Sequence, residues 1–250
     1  LTRSNAPVTT NVATLSVSVN NGSHASPSAG LTKTYDGFDS AADDFSPEYT
    51  FTGLVSGDAS AELSFSDANY NSGSVADASS LTMSGITINN ISGSKNSYPT
   101  DYVLESTTET VDASINKAVL TVTANSSFKF ISESDPSGFS GVTYSGFVNY
   151  ENLSVLTGSA TLSRADSTND TAGDYALIPD VTGITVANYS LSTANGVFTI
   201  VPANELKVVL NDAVSTYGDA LPAYTISSIS YYDGSIIQTV DDSFYVMEAI

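Results

Sequence analysis

The chain has 250 residues, with 27 acidic side chains against 7 basic ones and a formal net charge of -20. A field of that sign and size repels nucleic acid and anionic membrane surfaces, and the lack of any cysteine excludes disulfides and thiolate metal sites. Only 14% of residues are charged, so Ser, Thr and Asn supply most of the polarity beside 14 Tyr and 10 Phe, the vocabulary of β-rich extracellular modules rather than helical proteins.

Residues 1–14 read as a leader or linker. The opening at Leu1, without Met or a signal peptide, reads as the start of a mature or excised segment. Leu15-Ser16-Val17-Ser18-Val19 alternates apolar and polar residues, as a strand with one buried face does. Lys33-Thr34-Tyr35-Asp36-Gly37 then supplies turn chemistry, because Asp-Gly tolerates positive φ, and the tyrosine ring is expected to cover the turn. After Thr50-Phe51-Thr52-Gly53-Leu54-Val55, residues 56–63 fit either one short helix, capped by Ser56 with Asp58 in its first turn, or a wide turn into another strand. Leu120-Thr121-Val122-Thr123-Ala124 is a second opening strand, and Phe128 to Pro136 stands where the Tyr-Asp-Gly turn stood, without its glycine. Residues 149–156 offer the same choice of helix or turn, with Asn149 as cap and Glu151 in the first turn. Val197-Phe198-Thr199-Ile200 closes this stretch, and Pro202, lacking an N–H, fits a strand end. Leu206-Lys207-Val208-Val209-Leu210 opens a third, followed by a Tyr217-Gly218-Asp219 turn and an apolar stretch from Tyr224 to Ile237. No apolar run approaches the roughly 18 residues of a membrane-spanning helix.

One passage is said twice. Thr50 to Val55 returns as Thr143-Tyr144-Ser145-Gly146-Phe147-Val148, and Gly85-Ile86-Thr87-Ile88-Asn89-Asn90 returns as Gly183-Ile184-Thr185-Val186-Ala187-Asn188. The offset of about 95 residues suits whole small domains in tandem and is too long for a solenoid. Short polar or Pro-containing joints at Ile115–Ala118 and Ile200–Ala203 mark boundaries, giving modules at residues 15–118 and 119–203 and a partial third at 204–250. The third lacks a Gly-Ile-Thr-Ile counterpart, and a half-formed sheet exposes edges that invite pairing with another chain.

The element Lys33 to Gly37, followed by Tyr49 to Asp58, resembles the YDG repeat of large bacterial surface proteins. The second module is similar to the MBG repeats that follow it: an opening Lys117-Ala118-Val119-Leu120-Thr121-Val122, then Tyr144 to Val148, Leu156-Thr157-Gly158, Ala172-Gly173-Asp174-Tyr175, Ala187 to Leu191 and Gly196 to Ile200. The third piece matches the start of such a repeat at Thr216 to Pro222. The resemblance implies an all-β fold of small β-grasp-like modules in series, with Ig-like sandwich modules as the alternative. It further implies the stalk of a secreted bacterial adhesin or filamentous-haemagglutinin-type exoprotein, with no catalytic residues to carry over.

Candidate chemistry is sparse. His24 is the one histidine, which excludes most zinc and His-based triad designs. Asp43-Asp44 and Asp241-Asp242 are paired carboxylates, and Asp166-Ser167-Thr168-Asn169-Asp170 has the alternating oxygens of a calcium loop but no closing bidentate Glu. Tyr231 and Tyr232 could stack on sugars, although tyrosine in β modules is more often packing. Lys33, Lys117 and Lys207 recur near strand starts, the placement of lysines that form Lys–Asn isopeptide links in some surface pilins. The expectation is therefore a protein that is not an enzyme and has no catalytic, cofactor-binding or metal-binding residues, calcium being the one cofactor considered. Its expected partners are neighbouring modules of the same chain or fibre, with surface glycans or other cells beyond them, and neither nucleic acid nor an inserted membrane. Three functions fit: a stalk, a fibre subunit completed by strand exchange, or a glycan-binding module.

Overall fold

The computed structural model describes residues 11–19, 31–41, 45–203, 205–218, 220 and 222–240. His24, Asp43-Asp44, Asp219 and Asp241-Asp242 lie outside the described residues. Within them the regular structure is β-strand, relieved by two 3-10 turns at Pro99–Asp101 and Leu153–Val155, so the all-β class is what the chain adopts.

At the two positions open to a helix or a turn, no α-helix forms. Asp58–Ser64 is a strand paired antiparallel with Thr87–Gly93, placing Ala61 opposite Ile91, and both are buried. Its Asp and Ser residues lower helix propensity by competing for the backbone. At the second position only the single turn Leu153–Val155 forms. Asn149 and Tyr150 both take positive φ, 48° and 60°, which no right-handed helix accepts. Asn149 therefore shapes a turn instead of capping a helix.

Two compact units make up the chain. The first combines the described residues up to Val119 with Phe147–Asn152 and Val186–Ser190; the second combines Leu120–Gly146, Leu153–Thr185 and the described residues from Leu191 onward.

In the first unit Ala13–Val19 is the centre of a three-stranded sheet, antiparallel to Tyr49–Thr52 and parallel to Tyr102–Leu104. Thr32–Thr34 runs parallel with Ser114–Asn116, setting Lys33 opposite Ile115. Leu15, Val17, Ala61, Ile91 and Tyr102 form a buried cluster. Asp67–Tyr70, Ser80–Ser84 and Thr108–Asp112 complete a further antiparallel sheet.

The repeat in sequence returns as a repeat in register. Val17 faces Phe51 in the first passage, and Val122 faces Tyr144 in the second. Ser127–Phe130 runs parallel with Gly196–Val201 and sets Lys129 opposite Ile200, as Lys33 is set opposite Ile115. Gly173–Asp180 and Thr161–Arg164 extend this into a four-stranded sheet over a cluster of Ala124, Leu177, Phe198 and Ile200.

The last sheet, Leu206–Leu210 with Ile226–Tyr232 and Ile237–Thr239, breaks the pattern. Leu15 and Leu120 are 0% exposed, whereas Leu206, Val208 and Leu210 are 57%, 46% and 49% exposed. The alternation is intact, but the apolar face is uncovered.

Candidate functional site

Both repeated passages build the same device. Gly53-Leu54-Val55 and Gly146-Phe147-Val148 each lead into a turn, closed by Asp58 N–H donating to Val55 O at 3.0 Å and by Glu151 N–H donating to Val148 O at 2.9 Å. Gly57, at φ 103°, makes the first turn possible; the positive φ of Asn149 and Tyr150 makes the second. A tyrosine then locks each turn. Val55 N–H donates to Tyr102 Oη at 2.9 Å, and that hydroxyl donates to Asp58 Oδ2 at 2.6 Å. Val148 N–H donates to Tyr189 Oη at 3.1 Å, and that hydroxyl donates to Glu151 Oε2. Both rings are buried. Burial first, and the neighbouring carboxylate second, raise the Tyr102 phenol above its ordinary value and push Tyr189 up to about 12. Both phenols thus stay neutral and donate.

The second clamp carries a third member. Tyr35 Oη donates to Glu151 Oε1 at 2.6 Å, and the Tyr35 and Tyr189 rings meet edge to face with centroids 5.5 Å apart. Burial, then the Glu151 hydrogen bond, raises the Tyr35 pKa. Gly37 lies so close to Asn149 that an added Cβ would stand 2.5 Å from the Asn149 Cβ, and Asn149 Nδ2 donates to Gly37 O at 3.3 Å. Asp36 Oδ1 accepts from Lys33 Nζ at 2.8 Å. The residues of Tyr35-Asp36-Gly37 therefore divide the work, the first donating to Glu151, the second holding the lysine and the third admitting Asn149.

The first clamp differs in one respect. Both oxygens of Glu151 are used, while Asp58 Oδ1 is buried with no hydrogen-bond partner.

Two buried lysines occupy equivalent strand positions. Lys33 Nζ donates to Asp36 Oδ1, Phe38 O and Ser40 O, each at 2.8 Å. Lys129 Nζ donates to Glu133 O at 2.9 Å and pairs with Asp135 and Asp170. An ammonium has three N–H donors, and here all three are engaged. Lys117 is exposed instead, and Lys207 lies 4.3 Å above the Phe128 ring. The partners of Lys33 and Lys129 are carboxylates and backbone carbonyls, not the asparagine side chain that a Lys–Asn link would join.

Arg164, with a side chain 1% exposed, organises the acidic loop read as a calcium candidate. Its Nε and Nη2 grip Asp135 at 2.9 and 3.2 Å, while Nη1 and Nη2 donate to the carbonyls of Asp166, Asn169 and Ser167 at 3.0, 2.7 and 3.0 Å. Three carbonyls of the loop thus face a guanidinium, while the Asp166 carboxylate accepts from Thr168 and Asn169. Burial alone would raise the Asp135 carboxyl, but Arg164 and Lys129 overcome it and hold Asp135 below its ordinary range. Tyr232 rests on Phe130, its ring centroid 6.4 Å away, and Tyr231 sits in register with Leu206 and Gln238.

Sequence reasoning left Asp58 and Glu151 between a helix start and a wide turn, and missed Tyr102 and Tyr189 as their partners and Arg164 as the loop's anchor. The signal was present: Gly-Leu-Val-x-x-Asp returns as Gly-Phe-Val-x-x-Glu, an acid kept at one spacing within an otherwise neutral repeat.

Residues 120–199 match the family model of the MBG domain, YGX type. This stretch is an MBG-type module, in agreement with the motifs that carry the resemblance, and the domain type belongs to repeat-bearing, β-rich extracellular and surface proteins. No curated protein and no solved structure matches the chain. No helix among the described residues is long and apolar enough to cross a membrane.

Proposed function

We propose that this chain, with its MBG-type module at residues 120–199, is a non-catalytic, tension-carrying spacer of a secreted bacterial surface adhesin or matrix protein. One observation carries the reading: in both repeats, early strands pair in parallel with late ones. Ala13–Val19 pairs with Tyr102–Leu104, Thr32–Thr34 with Ser114–Asn116, and Ser127–Phe130 with Gly196–Val201. Pulling the ends of a parallel pair apart shears all its hydrogen bonds at once, whereas an antiparallel hairpin peels open bond by bond. The polar side chains that could have served chemistry hold loops and turns instead, at equivalent places in both repeats. Duplication at a fixed place marks a device of the module.

Single-molecule pulling tests this. Tethered at its two termini, the chain should unfold in discrete events, at several-fold higher force than when pulled through handles at residues 19 and 49, which peel an antiparallel pair. Equal forces in the two geometries would overturn the reading. A fibre subunit completed by strand exchange is the second reading, favoured by the uncovered face of Leu206, Val208 and Leu210.

A further inference from the structure

The opening strands of the two repeats are flanked on both sides. Ala13–Val19 lies between Tyr49–Thr52 and Tyr102–Leu104, and Ala118–Ala124 lies between Val142–Ser145 and Tyr189–Ala194. In each case the second neighbour begins with a buried tyrosine and carries leucine two residues later, as Tyr102-Val103-Leu104 and Tyr189-Ser190-Leu191. The third opening strand, Leu206–Leu210, pairs with Ile226–Tyr232 on one side, and among the described residues no strand takes its other side. A cleft of about 370 Å³ is lined by the consecutive residues Lys207 to Leu210 together with Phe128 and Ser140. Side chains alternate between the faces of a strand, so four consecutive residues reach one space only along an open edge.

The register of the first repeat indicates what such an edge receives. Leu15 is opposite Leu104 in a parallel pair, Glu105 N–H donates to Leu15 O at 3.0 Å, and Ser16 Oγ donates to the Glu105 carboxylate. Leu206 opens its strand as Leu15 opens the first, so Lys207 takes the place of Ser16. Tyr102-Val103-Leu104-Glu105 is echoed once in the sequence, as Tyr245-Val246-Met247-Glu248, which lies outside the described residues. Set in the same register, Met247 falls opposite Leu206 and Glu248 opposite Lys207. Lys207 has no acidic partner among the described residues, its ammonium resting 4.3 Å above the Phe128 ring.

We propose that the free edge of Leu206–Leu210 receives Tyr245-Val246-Met247-Glu248 from a second copy of this chain, in parallel, with Glu248 paired to Lys207. The chain's own segment is too short to do this. Val240 N–H donates to Ile229 O at 3.0 Å and Ile229 is opposite Val208, so Val240 stands level with Val208 on the far side of the sheet. From there Tyr245 would have to lie four residues back and one strand beyond Leu206–Leu210, about 19 Å away at roughly 3.3 Å per residue and 4.8 Å per strand. Five residues span at most about 18 Å, even on a straight line through the sheet. The pairing rests on the strand-exchange reading and deepens it by naming the donor, the register and the ion pair; the spacer reading does not depend on it.

Sedimentation velocity across protein concentration in 0.15 M NaCl tests it. The Debye length of about 8 Å there damps the repulsion between chains of net charge -20 more than it damps a pair in contact. The whole chain should form oligomers that grow with concentration, and a chain ending at Val240 should stay monomeric. Lys207→Glu should weaken association roughly tenfold by setting two acids opposite each other, and Glu248→Lys should do the same with two lysines. The double variant should return to within about threefold of the wild type, a recovery that damaged folding would not allow. A synthetic peptide of residues 243–250, added to the chain ending at Val240, should slow amide exchange at Leu206–Leu210, and in the whole chain that protection should rise with concentration. Protection that is equal at every concentration would assign the segment to its own chain and overturn the proposal. Association that survives both truncation at Val240 and Lys207→Glu would overturn this donor while leaving strand exchange through another segment standing. A whole chain that is monomeric at every concentration would remove both, and the pulling assay would still decide the spacer reading on its own.

Discussion

Replacing Arg164 by alanine should loosen the second unit and leave the first untouched. The side chain is 1% exposed, and it satisfies Asp135 at two oxygens, 2.9 and 3.2 Å away. Removing one partner of a buried, hydrogen-bonded ion pair costs about 3–5 kcal/mol. Two features bear on where in that range the loss falls. The guanidinium lies 5.0 Å from the Tyr175 ring centre and 5.4 Å from that of Phe198, contacts worth roughly 0.5–2 kcal/mol. Against that, Asp135 keeps Lys129, and the carbonyls of the exposed residues Asp166 and Ser167 regain water. The net is about 4 kcal/mol, or roughly a thousandfold in the opening equilibrium. Hydrogen exchange read by mass spectrometry reports both units in one molecule. Peptides from Thr161–Arg164, Gly173–Asp180 and Gly196–Val201 should exchange about a thousandfold faster, while those from Ala13–Val19 and Asp58–Ser64 hold their rates. Arg164→Lys should lose most of the same protection, because one ammonium cannot grip Asp135 and reach three carbonyls together. A change under tenfold, or an equal rise in both units, would refute the reasoning.

The clamps can be tested in the same way. Tyr189→Phe strands the Val148 N–H and strips a donor from Glu151, for a loss of about 1–3 kcal/mol in urea unfolding; combined with Glu151→Gln it should show coupling of at least about 0.5 kcal/mol. At alkaline pH the sign follows from the raised phenols: an unfolded tyrosine ionises at 10.0 and folded Tyr189 near 12, so its contribution is whole below pH 10 and drains away as pH rises to 12. Tyrosinate absorbance and circular dichroism followed together should show late-titrating tyrosines ionising with unfolding, and smooth titration of all 14 tyrosines at the ordinary value would contradict it. At the acid end, Asp135 is held below 3.8, so the stability it contributes is present above that value and is lost as pH falls beneath it, measurable from its carboxyl carbon shift. Gly37→Ala meets both a φ of 87° and the Asn149 Cβ at 2.5 Å, and should lower the melting temperature more than alanine at Gly138, which has φ 70° but an open surround.

What the sequence disclosed was period and punctuation. Alternation at Leu15–Val19 and Leu120–Ala124 located two core strands, because burial on one face leaves a mark every second residue. The paired passages around Thr50 and Thr143 share a register as well as a spelling. The clamp tyrosines were harder to see. Tyr102 lies 44 residues from Asp58 while Tyr189 lies 38 from Glu151, so unequal loops dissolve the repeat before the tyrosines are reached. The acids were visible but not resolved, since an acid two residues after Ser56 or Asn149 reads equally as part of a helix start or as part of a turn waiting for a distant hydroxyl. Lys129, not Lys117, matches Lys33, because strand partners define equivalence and spacing from a strand start does not. Arg164 is one arginine in a polar run, and only folding gathers Asp135 beside it. At Leu206–Leu210 the alternation names an apolar face without saying what would cover it.

The buried cations also decide how the molecule meets its surroundings. Of 7 basic residues, Lys33, Lys129 and Arg164 are interred. Trypsin-like proteases cleave after lysine or arginine. In the folded chain Lys95 and Lys117 are the exposed sites among the described residues, the first in the Ser94–Asn96 bend where Asn96 has φ 56°. Each lysine drawn inside to hold a turn is one cleavage point withdrawn, so the network that shapes the loops also shields the chain from digestion.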